Sequence, residues 1–120
     1  MAVRAVRGAI QVDSNARDSI LDGTTQLIQE VLARNELSRE DLISVIFTAT
    51  PDLTAEFPAY AARQLGFTDI PLICATEIDV PGAMPRVLRL MAHIETPRSR
   101  SEIHHVYLGG AANLRRDLPQ

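Results

Sequence analysis

The pattern of apolar and polar positions along the chain predicts an α+β fold. Two alternating stretches on either side of Arg7-Gly8 predict a strand over residues 2–12, with an irregularity at Gly8. Apolar residues at helical spacing then predict the longest helix, from Ala16 to Asn35.

Polar residues and prolines indicate where the helical elements begin. Asp13 and Ser14 are both good N-caps for the long helix. The segment Ser38–Asp41 resembles a capping box that opens one short helical turn. A second helix is predicted to open at Phe57-Pro58-Ala59, because a proline in the first turn costs little, and to stop at Gly66.

Four further strands complete the predicted sheet. Leu42–Thr48 is a β-rich apolar run typical of a buried strand, and Ile70–Ile78 predicts the third strand. Arg86–Glu95 fits a helix by its spacing and a strand by its alternation, and its proline-rich flanks favour the strand. His105–Leu108 begins the last strand. Five strands, one long helix and one or two short ones predict an α+β domain.

Length and charge narrow the classes of function. The 120 residues suit one compact domain, 1–120, whose polar C-terminal residues, 114–120, are interpreted as a mobile tail. The formal charge of −3 gives no basic surplus for nucleic acid or an anionic membrane. No apolar run approaches the roughly 20 residues of a membrane span, and the N-terminus lacks a signal-peptide pattern. We therefore expect a cytoplasmic protein.

Composition also excludes several kinds of chemistry. The single cysteine, Cys74, excludes an intrachain disulfide and a multi-cysteine zinc site. All 12 cationic side chains are arginines, which excludes a lysine Schiff base. His104 and His105 are neighbours on a predicted strand and should point to opposite faces, so we expect no shared metal ion. The sequence also lacks a G-x-S-x-G, an H-E-x-x-H and a glycine-rich phosphate loop.

Charged and polar side chains inside otherwise apolar strands are the remaining candidates for chemistry. Each of them alone is typical of a structural residue, since a strand arginine is usually solvated and a cysteine usually fills a core. Together they suggest a pocket for a small polycarboxylate, because the arginine fork suits a planar carboxylate. The candidates are Arg7, Cys74, Glu77, Arg89 and Tyr107.

Four stretches of the sequence, in order along nearly the whole chain, resemble the monofunctional chorismate mutases of the trimeric, sheet-containing class. This class differs in fold from the all-helical chorismate mutases. The matching stretches are VRAVRGAIQV, TATPDLTAEFPAYAAR, CATEIDVPGAMPRVLRLM and HHVYLGGAANLRRDL. The resemblance implies the Claisen rearrangement of chorismate to prephenate, on the route to phenylalanine and tyrosine, with no cofactor, metal or covalent intermediate.

The resemblance also implies a role for each candidate residue. Arg89 would bond the ether oxygen, where charge develops in the transition state, and a carboxylate. Arg7 would hold the enolpyruvyl carboxylate, and Tyr107 would donate to a carboxylate. Glu77 would bond the ring hydroxyl and orient Arg89, and Cys74 would contact the same hydroxyl. The expected pocket lining is Phe57, Ala59, Ile73 and Leu114, with Arg63 and Arg115 near the mouth.

The resemblance implies a mixed five-stranded sheet packed on one long helix. Members of this class also form homotrimers, in which the three sheets build a barrel-like core. We expect clefts between subunits, with Arg7, Glu77, Arg89 and Tyr107 from one chain facing Phe57, Ala59, Ile73 and Cys74 from the next. The resemblance also resolves Arg86–Glu95 as a strand, and it suggests that residues 114–120 order over the occupied cleft.

Two positions depart from the pattern of the class. Tyr60 stands where the class often has lysine, which removes one cation from the rim of the cleft. Pro85 stands where other members carry no proline, and it should lie at a sheet edge or just before a strand. A trimeric enamine or imine deaminase and a non-catalytic trimer that binds a carboxylate metabolite are the alternative functions.

Overall fold

Five strands form one mixed sheet in the computed structural model, which describes residues 1–114. β4 pairs antiparallel with both β1 and β2, whereas the edge strands β3 and β5 pair parallel with β2 and β1. The order across the sheet is therefore β3-β2-β4-β1-β5. The strands are β1 (Ala2–Gln11), β2 (Leu42–Ala49), β3 (Leu72–Thr76), β4 (Val87–Thr96) and β5 (Val106–Leu108).

Two helices, α1 (Arg17–Arg34) and α2 (Pro58–Gln64), cover one face of the sheet. Because successive strand residues point to opposite faces, every second residue of β4 faces the helices. These residues, Leu88, Leu90, Ala92 and Ile94, are at most 5% exposed and pack in one cluster with residues of α1. The predicted α+β fold with a mixed five-stranded sheet is confirmed, and of its two helices α1, with 18 residues, is the longer.

Two glycines allow α1 to lie close to β1. A Cβ atom on Gly8 would stand 3.0 Å from the Cδ1 atom of Leu27, and one on Gly23 would stand 2.5 Å from the Cγ1 atom of Val12. The predicted irregularity at Gly8 is wrong, because the pairing of β1 with β4 is continuous along the whole strand. Gly8 instead allows the close approach of α1 to the sheet, because a side chain there would collide with Leu27. The register shift of the sheet lies between Leu42 and Ser44.

The predicted boundaries of the elements hold in part. The ambiguous segment Arg86–Glu95 is a strand, with Pro85 just before it as expected. The second helix ends before Gly66, whose φ of +93° suits glycine. The capping box is present, and the Ser38 amide donates to Asp41 Oδ2. The third strand is shorter than the predicted span Ile70–Ile78.

The predicted N-caps of the long helix are wrong. Its N-cap is Ala16, and no side chain caps the helix. Ser14 hydrogen-bonds Ser19 instead, at 2.8 Å between their Oγ atoms. Asn15, which follows the predicted caps, hydrogen-bonds Thr54 and Ala55 in the loop before α2. Ser14 is therefore used in a local side-chain contact and Asn15 in a tertiary contact, and neither caps the helix.

The prediction that the second strand is buried holds for one face only. Val45 and Phe47 of β2 are buried under the helices, whereas Ile43 and Ile46 are 39% and 37% exposed. The last strand begins at Val106, so His104 and His105 precede it and the alternation argument does not apply to them. Neither helix within residues 1–114 is long and apolar enough to cross a bilayer.

The face of the sheet that carries no helix is called the open face here. It bears Arg7 of β1, Arg89 of β4 and Tyr107 of β5, as the pairing of Ala9 with both Arg89 and Tyr107 requires. A small cluster of Ala9, Val87, Tyr107 and Ala111, with Met84 and Leu114, covers one end of it. Elsewhere it exposes large apolar side chains, namely Val3, Ile46, Ile73 and Met91.

Candidate active site

Arg89 is held on the open face by a carboxylate from the segment after β3. Its Nε lies 2.9 Å from Oε2 of Glu77. The same carboxylate oxygen accepts a hydrogen bond of 2.7 Å from Thr48 Oγ1, and Thr48 is the residue of β2 directly opposite Arg89. The Glu77 amide donates to the Ala49 carbonyl, which extends the pairing of β2 past the end of β3. Glu77 is therefore fixed through both its backbone and its side chain.

The contact between Arg89 and Glu77 is an ion pair rather than a well-aligned hydrogen bond. The Nε atom is covered from solvent and has no hydrogen-bond partner among residues 1–114, although it stands 2.9 Å from the carboxylate oxygen. The Arg89 side chain is nevertheless 40% exposed, so its exposed surface belongs to other atoms. Its terminal amino groups donate no hydrogen bond to a described residue, which leaves them available to a ligand.

Arg89 lies between two cavities. The larger, the Arg89 cleft, has a volume of about 500 Å³ and is lined by Glu77, Asp52 and Leu114 among others. The smaller, the Tyr107 pocket, has about 230 Å³ and is lined by Arg7, Thr48 and Met91 as well as Tyr107. The structure thus brings together four predicted site residues of one chain: Arg7, Glu77, Arg89 and Tyr107.

The second arginine of the open face is anchored through its backbone. The Arg7 amide donates to Nδ1 of His105 at 2.9 Å, just before β5 begins. Within the part of the chain that the structure describes, no carboxylate forms an ion pair with the Arg7 guanidinium. Tyr107 is 5% exposed, with its ring in the small cluster of the open face. Arg7 and Arg89 thus supply two cationic forks to one pocket.

Asp52 shapes the far wall of the Arg89 cleft. Its carboxylate accepts hydrogen bonds from the hydroxyl of Thr50 and from the amide of Arg86, a residue with φ of +54°. The Thr50 hydroxyl and the Arg86 amide hold the pKa of Asp52 below its usual value, despite some burial. Asp52 therefore fixes the turn that leads into β4 and thereby the position of Arg89.

Cys74 lies away from Arg89 in the single chain. It alternates with Ile73 on β3 and faces the helix side of the sheet, opposite Phe47. With Phe57 it lines a third cavity, the Phe57 cleft, of about 430 Å³. Phe57 is 69% exposed, which is unusual for a large aromatic residue. Cys74 and Phe57 therefore form a second group, separate from the arginines.

The other predicted lining residues differ in exposure. Ile73 is 60% exposed on the open face, and Arg63 is exposed on α2. Ala59 is 3% exposed and packs in the main core, so the single chain does not present its side chain to a cavity. Leu114 lines the Arg89 cleft, whereas Arg115 and the predicted tail beyond Leu114 lie outside the described residues.

Sequence reasoning missed two residues that support the site. Thr48 bonds the Glu77 carboxylate, and Asp52 bonds the turn before β4. A signal for Thr48 was present, since it is a polar residue that ends the apolar run Leu42–Thr48 and lies two positions after Ile46, on the same face of the strand. Asp52 binds the amide of Arg86, which lies 34 residues further along the chain, and no pattern in the sequence indicated this contact. No group of three histidine, cysteine or acidic residues among residues 1–114 could hold a metal ion.

Comparison with known proteins identifies close relatives over nearly the full length. The model of the family described as chorismate mutase type I matches residues 3–118. The chorismate mutase AroH of Thermus thermophilus is 45% identical over 117 residues, which cover 97% of this chain and 96% of the relative. The AroH of Bacillus subtilis (strain 168) is 38% identical over 119 residues, with 98% and 94% covered.

The fold has a close match among solved structures. A chorismate mutase from Clostridium thermocellum superposes with a TM-score of 0.91 at 45% sequence identity. The match covers 92% of this chain and 98% of that structure.

Proposed function

The chain belongs to the chorismate mutase type I family, which converts chorismate to prephenate, and we propose that it does so with Arg89 as the group that stabilises the transition state. The protein is an isomerase, and its family assigns it to aromatic amino-acid biosynthesis. The cytoplasmic location expected from the sequence stays a prediction.

The reaction sets two demands on the protein. An ether C–O bond breaks and a C–C bond forms within one molecule, so no group has to be supplied from outside. The flexible dianion must first be held in its compact, reactive conformer. The ether oxygen then gains negative charge only as the bond breaks, so a fixed positive donor at that point stabilises the transition state more than the substrate.

The environment of Arg89 supports its assignment as that donor. Its ion pair with Glu77, which Thr48 in turn holds, fixes the guanidinium without occupying its terminal amino groups. A donor already oriented in this way needs no reorganisation when charge develops. This observation carries the proposal. The Glu77 carboxylate keeps other lone pairs, which can accept a hydrogen bond from the ring hydroxyl of the substrate. This is the role that the resemblance to the family implies for Glu77.

The other cation and the phenol of the Tyr107 pocket suit the carboxylates of the dianion. We assign the enolpyruvyl carboxylate to Arg7, whose guanidinium has no ion-pair partner among the described residues and can bind a carboxylate with two bonds. Tyr107, in the same pocket, would donate to a carboxylate. Leu114 would close one side of the adjoining Arg89 cleft.

We further propose that the functional unit is a homotrimer with its clefts between subunits and a barrel-like core of three sheets. The exposed apolar residues of the open face support this, because a single chain leaves Val3, Ile46, Ile73 and Met91 in water. The separation of Phe57 and Cys74 from Arg89 also supports it. In the trimer, the group of Phe57, Ala59, Ile73 and Cys74 of one chain would face the arginines of the next, with Arg63 and Arg115 near the mouth.

A conversion assay with mixed subunits tests the function and the shared cleft together. The purified protein, treated with a chelator, should convert chorismate to prephenate. Chains with Arg89→Ala and chains with Phe57→Ala should each be weak alone, and after unfolding and refolding as a mixture they should regain activity, because some clefts then contain two intact halves.

A folded protein that leaves chorismate unchanged would contradict the function, and screens with imines and with carboxylate ligands would then test the deaminase and the binding protein. A mixture that exchanges subunits but regains no activity would contradict the shared cleft alone. Mass determination in solution supplies the independent measure of the oligomer.

A further inference from the structure

The loop before α2 is held by the residues that precede and begin α1. Asn15 Oδ1 accepts hydrogen bonds from the amides of Thr54 and Ala55, at 2.9 and 3.0 Å. Its Nδ2 donates to Thr54 Oγ1 at 2.9 Å. One amide side chain therefore makes three bonds to two consecutive residues that lie about forty positions further along the chain. These residues line the Phe57 cleft.

Arg17, two residues later, holds the next part of the same loop. Its Nε donates to Oε2 of Glu56 at 2.9 Å, and the other oxygen of Glu56 accepts a 2.9 Å hydrogen bond from the Phe57 amide. The Phe57 amide and the Arg17 guanidinium lower the pKa of Glu56. The carboxylate is therefore charged at neutral pH and connects Arg17 to the backbone of Phe57.

The Arg17 guanidinium also lies over an aromatic ring of α2. Its Cζ atom is 5.4 Å from the centre of the Tyr60 ring, within the range of a cation–π contact. Phe57 is the N-cap of α2, and Tyr60 lies one turn further along. Arg17 thus contacts this helix on both sides of its first turn.

We propose that Asn15 and Arg17 form a clasp that positions Phe57 for substrate binding in this chorismate mutase. The inference rests on the proposed function, in which the Phe57 ring forms a wall of the cleft. A phenylalanine that is 69% exposed has few packing contacts of its own to fix its ring, so its backbone must be fixed from elsewhere. The clasp supplies that constraint, which makes Asn15 and Arg17 positioning residues.

A role for Arg17 in attracting the dianion fits the geometry less well. Tyr60 stands where the class often has lysine, so Arg17 is a candidate to replace that cation. The charge of Arg17 is, however, balanced by Glu56 at 2.9 Å. The ion pair therefore carries almost no net charge and exerts little long-range attraction on the dianionic substrate. A role in stability also fits less well, because exposed ion pairs contribute little to folding.

The exchange of single amide protons tests the clasp without any substrate. Asn15→Ala should speed exchange at Thr54 and Ala55, and Arg17→Met should speed it at Phe57, by roughly two- to tenfold, as expected for the loss of one or two surface hydrogen bonds. Exchange in the core of β4 should not change. Arg34→Met is the matched control, since Arg34 forms an ion pair with Glu30 at the other end of α1.

Steady-state kinetics with chorismate then tests the link to the substrate. Arg17→Met and Asn15→Ala should each raise KM roughly two- to fivefold and leave kcat within about twofold, whereas Arg34→Met should change neither constant. The conservative variant Asn15→Asp keeps the oxygen that accepts from the amides of Thr54 and Ala55, so its KM should be close to that of the wild type. The salt dependence of kcat/KM in Arg17→Met should equal that of the wild type.

Three results would overturn the inference. Faster amide exchange with an unchanged KM would show that the clasp does not serve binding. An altered salt dependence in Arg17→Met would assign that residue to steering of the substrate. Unchanged exchange at residues 54–57 would show that the clasp does not hold the loop. A failure of the wild type to convert chorismate would count against the proposed function only, because the exchange data need no substrate.

Discussion

The two faces of the sheet are built from the same strands but serve different purposes. On the helix side, β2 and β4 bury Phe47 and Ile94 at 1% and 0% exposure, in a core that one chain completes. On the open face, the alternate positions of the same strands carry Arg89 and leave Ile46 and Met91 37% exposed. A single chain thus buries the apolar side chains of the helix side, whereas it leaves those of the open face partly exposed to solvent.

This difference separates the residues that hold the fold from those that perform chemistry. A closed core tolerates few polar atoms, because each needs a partner once water is excluded. The open face can carry cations such as Arg7, which has no ion-pair partner among residues 1–114, since a substrate or the proposed second chain would supply the partner. Substitutions on the two faces should therefore differ in kind: loss of stability on one, and loss of catalysis or assembly on the other.

Adjacent residues of β2 give the sharpest test of this contrast. Phe47→Ala should lower the free energy of unfolding by about 3–5 kcal/mol, because it opens a cavity in a core that cannot fully collapse. Denaturant unfolding measures this loss. Ile46→Ala, on the open face, should cost less, and its cost should depend on protein concentration because the residue lies in the proposed subunit contact. Equal and concentration-independent losses would contradict the contrast.

Glu77→Gln should affect catalysis far more than folding. The neutral amide ends the ion pair that orients Arg89, so we expect kcat to fall by roughly 10- to 100-fold with a small change in KM. Thr48→Val removes only the hydroxyl that bonds Glu77 and should lower kcat less. A Glu77→Gln enzyme with a normal kcat would show that Arg89 needs no such support.

Arg7→Ala should weaken substrate binding as well as turnover. Loss of a fork that binds a carboxylate should raise KM by roughly tenfold or more, since hydrogen bonds between charged groups are among the stronger ones. Arg4, on the same strand but on its helix side, provides the matched control, and Arg4→Ala should leave KM unchanged. Unchanged kinetics in Arg7→Ala would remove that residue from the site.

Cys74→Ala should have the smallest effect. The thiol lies outside the group of arginines in one chain, and its expected role is a contact with the ring hydroxyl. We predict activity within about tenfold of the wild type, since a thiol is a weak hydrogen-bonding group. Complete loss of activity in a folded protein would point to a nucleophilic cysteine and contradict the proposed mechanism.

Periodicity predicted the fold well where one pattern dominated. The stripe of α1 and the apolar run of β2 needed no tertiary information. The segment Arg86–Glu95 fitted two periods. Its proline-rich flanks favoured a strand, the resemblance to a family resolved it as one, and β4 confirms the strand. The N-cap prediction failed because Ser14 hydrogen-bonds the side chain of Ser19, and Asn15 bonds to a loop distant in sequence, which local capping rules do not consider.

The candidate site was predicted by resemblance more than by physics. The residues alone suggested a carboxylate pocket, and the structure does bring Arg7, Glu77, Arg89 and Tyr107 around two adjoining cavities. Composition could not indicate Thr48 as the partner of Glu77, because that contact depends on the register of β2 against β3, which Glu77 follows. The roles of Cys74 and Ala59 stay predictions, since they depend on a neighbouring chain.

The turnover of chorismate by variants of Arg89 tests the central claim most directly. We predict that Arg89→Ala lowers kcat by at least the roughly 10²–10³-fold expected for loss of a transition-state donor, in a protein that unfolds at the same denaturant concentration as the wild type. Arg89→Lys should also be severely impaired, because a point charge cannot replace the fork. Near-normal formation of prephenate by a folded Arg89→Ala enzyme would contradict the account.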